Sequence, residues 1–250
     1  MSIQRIRILV VLFWVALFAW LVFSPEPDFS SPAAEIHGEP GLFWFKGNTH
    51  SHAKIQLGDY VHGDSSPEEV ARWYRQHGYH FAAITDHNRF EDARGITGQG
   101  EGSFLVLPGM EITSDYLYPG VNQTGERRIH ATALNTGSEP DWNFDDPDKS
   151  DIIRTQIERT RNSGGLAILN HPNYRYQLEL KDILDAGTVS HMEMFNAHPR
   201  SNHEGHAGFR PGIESLWDQV LSTGQQIYGV AADDAHDFKW YRQWLRRFGG

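Results

Sequence analysis

From Leu42 onward the chain alternates short apolar runs with amphipathic stretches. The runs are Phe43–Asn48, Phe81–Thr85, Phe104–Leu107, Ile129–Leu134, Leu166–Leu169, Met192–Phe195 and Ile227–Ala231, each of strand length. Helical patterns lie between them. Ser66-Pro67-Glu68-Glu69 joins a hydroxyl cap, a proline at the first helical position and acids in the first turn; Val70, Trp73 and Tyr74 then share a face, and Gly78 stops the helix. A second helix is predicted over about Asp151–Arg161, before Gly164-Gly165, and a third over Ile213–Leu221, before Gly224. Strand and helix in alternation imply an α/β fold with a parallel sheet and crossover helices, either a (β/α) barrel or a doubly wound sheet.

The first forty residues follow another pattern. Arg5 and Arg7 precede an unbroken apolar run of 16 residues, Ile8–Phe23, about 24 Å long as a helix. It is polar on no face and is followed by Ser24-Pro25-Glu26-Pro27, which marks an export signal or membrane anchor over residues 1–24 and a Pro-, Ser- and Glu-rich linker over 25–41. An uncleaved anchor is favoured over a cleaved signal, and either one places residues 42–250 outside the cytoplasm, in the periplasm or at the cell surface.

Composition narrows the chemistry. The chain has 250 residues and eight Trp, ample for one domain with its own core. A net charge of −10 disfavours an extended nucleic-acid surface while leaving room for a small phosphorylated substrate. With no cysteine, disulfides and thiolate metal sites are excluded, so a metal must be held by His, Asp and Glu.

Those residues collect at strand ends. His50 and His52 close the first run, Asp86 and His87 the second, His171 the fifth, and Asp234 and His236 the seventh; Glu111 follows the third. In a parallel barrel the carboxyl ends of the strands share one face, which would unite residues almost two hundred positions apart. His-x-His on a strand puts both imidazoles on one side, and Asp234 and His236 repeat that spacing. His130 lies at the start of its run, the wrong end for a parallel strand, and a shifted strand boundary is the expectation there.

THSH, SPEEVARWYRQHGY, FAAITDHN, PGMEIT, LNHPNY and DDAHD together resemble the PHP (polymerase and histidinol phosphatase) superfamily, in its CehA/McbA-like metallohydrolase branch. The resemblance runs from about Phe45 to His236. It implies a distorted seven-stranded (β/α)7 TIM-like barrel with two or three divalent ions, Zn, Mn or Fe. By the same resemblance His50, His52, Glu111 and Asp234 would hold one ion. Glu111 would bridge to a second, on His130 and His171, and His87 and His236 would bind a third with one further ligand. Many relatives have Ser-Asp-Gly where this chain has His62 in a longer loop; His62 is taken as that ligand, with Asp59 and Asp64 as rivals. Relatives also continue through another strand and helix where this chain ends, so a short closing portion is expected.

The implied activity is phosphoesterase hydrolysis of a small phosphorylated compound, with a hydroxide held by the ions as nucleophile. Asp86 would orient an imidazole, and Asn173, Arg175, Asn196, Arg200 and Arg210 are candidates to bind substrate, beside His198 and His203. The alternatives are hydrolysis of an ester, carbamate or amide, and a non-catalytic metal- or ligand-binding protein. A standard amidohydrolase barrel commonly bridges its metals with a carboxylated lysine, whereas Glu111 takes the bridging place here.

Overall fold

Each of the seven apolar runs carries a β-strand in the computed structural model, which describes residues 34–35, 41–57, 60–96, 104–115, 128–144 and 148–239. The apolar N-terminal run, most of the linker, Asp59 and the residues after Lys239 lie outside them. Along the chain come β1 (Ala34–Glu35), β2 (Phe43–Trp44), β3 (Gly47–Asn48), β4 (Ile55–Leu57), β5 (Tyr60–His62), α1 (Pro67–Gln76), β6 (Phe81–Ala83) and β7 (Leu105–Leu107). There follow β8 (Gly109–Asp115), β9 (Arg128–Leu134), α2 (Lys149–Asn162), β10 (Leu166–Leu169), α3 (Leu180–Ala186), β11 (His191–Asn196), α4 (Ile213–Ser222) and β12 (Tyr228–Ala232).

The strands do not form one continuous seven-stranded barrel among the described residues. Pairing runs through a parallel sheet, β3-β6-β7, and a five-stranded sheet, β12-β11-β10-β9-β8. Isolated parallel bridges connect the two, Ser51 with Ala235 at one junction and His87 with Glu111 at the other. The first junction is reinforced by the His52 N–H donating to the Ala235 carbonyl and the Asp234 N–H to that of His50, both at 2.9 Å. β3 and β12, at opposite ends of the fold's sequence, thus meet just where both carry histidines.

The sheet is also not all parallel. β9 is antiparallel to both its neighbours, pairing Thr113 with His130 on β8 and Ala131 with Leu169 on β10. In sequence, the stretch between them, YLYPGVNQTGER, has no 3.6-residue apolar pattern of the kind a crossover helix to a parallel neighbour carries. Reversal of β9 puts its start at the rim where the other strands end. His130 therefore needs no shifted boundary; the strand is turned round.

Helix α1 begins as its sequence dictates. Ser66 Oγ accepts from the Glu69 N–H while the Glu69 carboxylate accepts from the Ser66 N–H, a reciprocal cap, with Pro67 at the first position. Val70 and Tyr74 are fully buried, and Trp73 stacks on His77 at 3.8 Å between ring centroids. Gly78 follows with φ of 72°, a conformation only glycine enters cheaply. α2 is capped by Asp148 and exceeds the predicted span by a residue or two at each end; α4 matches its expectation closely. α3 was not predicted: it has two turns, and only Asp182, Ile183 and Ala186 are buried.

Two apolar cores flank the polar centre. The larger gathers Ile152, Ile153 and Ile157 of α2 with Leu169, Met192, Ile213 and Val220. The smaller packs α1 on β6 and β7 and takes in Phe238, whose ring lies 5.6 Å from those of both Trp73 and Tyr74. Asp64 fastens the segment that carries Phe238, accepting from the Phe238 N–H at 2.9 Å and the Lys239 N–H at 3.4 Å.

Candidate metal centre

The junction between the sheets is filled by imidazoles and carboxylates. His50 and His52 extend β3 and are wholly buried. Asp234 and His236 follow β12, Asp86 and His87 follow β6, His171 follows β10, Glu111 lies within β8, and His130 enters from the start of β9. Among the described residues, four overlapping sets have the donor atoms and spacing for a metal ion: His50, His52 and Asp234; His50, Glu111 and His171; His87, Glu111 and His130; and His52, His62, His87 and His236.

His62 reaches the last set through a hairpin absent from the sequence-level expectation. β4 and β5 pair antiparallel with His62 opposite Ile55, folding the long loop back over His52. The His62 ring centroid is 4.8 Å from those of His52 and His87 and 4.3 Å from that of His236. Its rival Asp64 is engaged with the chain segment after His236, and Asp59 is outside the described residues.

The separations suit a metal. His50 Nε2 lies 3.2 Å from His52 Nε2, and the two lie 3.3 and 3.1 Å from Asp234 Oδ1. With ligand bonds of 2.0–2.1 Å, the edge between neighbouring ligands is about 3.3 Å in a tetrahedron and about 3.0 Å in an octahedron. Glu111 Oε1 stands 3.3 Å from both His50 Nε2 and His171 Nε2, and Oε2 stands 3.4 Å from His52 Nε2. Glu111 Oε1 also stands 2.9 Å from His130 Nδ1 and Oε2 2.8 Å from His87 Nδ1, so the carboxylate lies between the sets, where a bridging ligand belongs.

Hydrogen bonding leaves one of these carboxylate oxygens over. The buried atoms His52 Nδ1, His130 Nε2 and Glu111 Oε2 have no hydrogen-bond partner, although His87 Nδ1 lies 2.8 Å from Glu111 Oε2 in an orientation that forms no hydrogen bond. Leaving such a group unpaired in the interior costs about 1–3 kcal/mol, which a cation held by the Glu111 carboxylate would offset. His171 and Asp234 also hold left-handed backbones, with φ of 22° and 49°, strain of about 1–3 kcal/mol per residue that clusters at functional sites.

The electrostatics divide the histidines. Burial alone would lower His50, but Asp234, Glu111 and Glu193 outweigh it and raise its pKa well above the usual range. His171 is also raised, its hydrogen bond to Glu111 and the charges of Asp234 and Glu193 overcoming burial. Burial, reinforced by neighbouring imidazoles, lowers His52 well below normal and His62 to about 3. Burial also takes His130 to about 4. Glu111 and Asp234 are depressed well below ordinary carboxylates, because the surrounding histidines offset the burial that would raise them.

Two residues that sequence reasoning missed support the cluster from behind. Glu193, buried in β11, accepts from His50 Nδ1–H through Oε1 at 2.8 Å; its Oε2 accepts from the His171 N–H and from Asn196 Nδ2, each at 2.8 Å. Asn170 donates to Glu111 Oε1 at 2.8 Å while its own Oδ1 accepts from the Thr132 N–H. An acid inside the apolar run MEMF was the available signal for Glu193, since a lone charge on a buried strand demands a partner.

The other expected residues are placed variously. Asp86 accepts from the Ala53 N–H at 2.8 Å and has Oδ1 3.8 Å from His52 Nδ1; burial raises its pKa to about 7. Asn196 joins Glu193 to Asp234 and is fully buried, so it braces carboxylates. Asn173 donates to the carbonyls of Asn202 and Pro211, which binds two loops together. Arg210 is committed to Glu179 at 2.8 Å. Arg175 adopts a left-handed backbone with its guanidinium 5.3 Å from the Tyr174 ring, Arg200 is exposed, and His203 is paired with Glu204. His198 does reach the cluster, its ring 5.3 Å from that of His236.

No family model matches the chain, and no curated protein matches it. Among solved structures, a similar chain is a two-domain protein from Bacteroides vulgatus containing a predicted PHP-like metal-dependent phosphoesterase: 15% identity, TM-score 0.49, 83% of this chain and 57% of that one. Another is an amidohydrolase from Chromobacterium violaceum with bound sulfate and no metal: 13% identity, TM-score 0.46, 77% of this chain and 88% of that one. The chain spans a little over half the length of the first of these.

Proposed function

We propose that this chain is an extracytoplasmic metal-dependent hydrolase that cleaves a phosphoester of a small substrate, using two or three divalent ions. The observation that carries the reading is the contact of Glu111 with His50, His52, His87, His130 and His171 at 2.8–3.4 Å, with Asp234 closing the same cluster. The choice of phosphorus over carbon rests on the motif resemblance set out above.

His50, His52, Asp234, Glu111, His130 and His171 would hold the ions, with His62, His87 and His236 forming the outer set. Divalent ions in such a site supply Lewis acidity toward a phosphoryl oxygen and acidify the water they hold. The chain's own groups prepare that chemistry. Glu193 accepts the Nδ1–H of His50, which turns Nε2 toward Glu111 and Asp234 as the ligand atom. The Asp234 carbonyl does the same for His236 by accepting from Nδ1–H at 2.8 Å. Asn170 fixes the Glu111 carboxylate through Oε1. His198, at the edge of the cluster and lowered to about 4 by burial, is a neutral imidazole near pH 7, fit to hydrogen-bond a substrate oxygen.

The test is turnover of p-nitrophenyl phosphate, bis-p-nitrophenyl phosphate and p-nitrophenyl acetate by the full chain loaded with Zn(II), Mn(II) or Fe(II). The proposal requires chelator-sensitive cleavage of a phosphoester. Cleavage of the acetate alone would move the reading to a carbon ester or amide, and no turnover with metal bound would leave a binding protein.

A further inference from the structure

We propose that the rim of the fold opposite the metal cluster is a membrane-facing surface, seated on the bilayer that the N-terminal apolar run enters. β3, β6, β7, β10 and β12 run in one direction, so the cluster at their carboxyl ends defines a far rim at their starts. Three strand openings on that rim are large, apolar and exposed. Leu105 opens β7 at 50% exposure, Leu166 opens β10 at 41%, and Tyr228 opens β12 at 53%. The strip that leads into β3 adds Phe43, Trp44 and Phe45 at 48, 65 and 58%.

Contacts tie neighbours together along this edge. The Phe45 ring lies 5.6 Å from His80, whose carbonyl accepts from the Leu105 N–H. The paired starts of β11 and β12 bring His191 to 5.2 Å from the Tyr228 ring. With Leu42, the rim and strip account for more than half of the exposed large hydrophobic residues among the described residues. An apolar patch of this extent, rich in aromatic groups, marks an interaction surface.

The chain itself points to the partner. Ile8–Phe23 is apolar enough to enter a bilayer, and residues 24–33 join it, over at most about 36 Å, to β1, which pairs with Phe43 and Trp44. The exposed aromatic strip is thus the first folded surface beyond the tether, and Trp and other aromatic groups settle at the headgroup level. A net charge of −10 makes the contact one of apolar area, so neutral phosphatidylcholine suffices and salt does not release it. Among the described residues no helix is long and apolar enough to cross a membrane, so this surface would lie on the bilayer. The metal cluster would then open away from the lipid, toward soluble substrate.

Because the chain has no cysteine, single spin labels report cleanly. Leu105→Cys, Leu166→Cys and Tyr228→Cys, with Glu204→Cys as control at 91% exposure beside the cluster end, are placed in the full chain. Each is reconstituted into phosphatidylcholine vesicles at about one protein per vesicle. The rim labels should collide more with oxygen than with chromium oxalate, the reverse of the control, with no change in high salt. Rim labels as aqueous as the control would overturn the proposal. So would protection that appears only at high protein density with label–label broadening, which would assign the rim to a second copy.

Discussion

Glu193→Gln tests the support of the cluster from a residue that touches no substrate. Glu193 receives three donors: His50 Nδ1–H on one oxygen, and the His171 N–H and Asn196 Nδ2 on the other. A glutamine has a single acceptor oxygen. Placed toward His171 and Asn196 it satisfies two donors, which turns its NH2 group toward His50 Nδ1. His50 must then accept at Nδ1 and carry its proton on Nε2, the atom that faces His52, Glu111 and Asp234. Reversing the amide restores the tautomer but leaves a buried backbone donor opposed, at about 1–3 kcal/mol. Either outcome weakens the site, and loss of such a partner typically costs 10–100-fold in metal affinity, about 1.4–2.7 kcal/mol. Competition against a chromophoric chelator reads the affinity, and long-range 15N–1H correlation spectra read the His50 tautomer. Unchanged affinity with His50 still protonated at Nδ1 would refute the reasoning.

Metal affinity should climb with pH through neutrality. The carboxylates around His50 and His171 make both hold a proton more tightly than a free imidazole, and metal binding competes with that proton, whereas His62 and His130, near 3 and 4, cost no proton there. Calorimetry in buffers of different ionisation enthalpy should show net proton release, and a buffer-independent heat would contradict this. His62→Ala should lower the number of ions bound per chain with little change in thermal stability, since the side chain belongs to a two-stranded hairpin; unchanged stoichiometry would remove His62 from the ligand set. Asp64→Ala removes the acceptor for the Phe238 and Lys239 N–H groups and should cost about 1–3 kcal/mol, seen as a lower Tm and faster amide exchange at those two residues.

Much of this arrangement is legible from period and residue type. The seven apolar runs all carry strands, and the Ser66–Glu69 cap starts α1 where local chemistry demands it. His-x-His on a strand and the Asp234–His236 pair come together because β3 and β12 are neighbours. What was not legible depends on direction and on distant partners. The reversal of β9 shows only in its antiparallel pairing with β8 and β10, and it changes which end of the strand faces the cluster. Residue type suggested Arg210 and Asn173 as substrate ligands, yet their partners Glu179 and Pro211 lie 31 and 38 positions away. Glu193 escaped notice for the opposite reason: its flanking methionines and phenylalanine read as plain core, and only its contact with His50 shows its use.

The central claim is that these histidines and carboxylates are one metal centre. Metal content of the full chain, purified in detergent and loaded in turn with Zn(II), Mn(II) and Fe(II), tests it most directly, with His50→Ala/His52→Ala measured alongside. The account predicts two or three ions per chain, falling in the double variant while its circular dichroism is unchanged, because His50 and His52 join three of the four candidate sets. No bound ion, or undiminished content in the double variant, would contradict it.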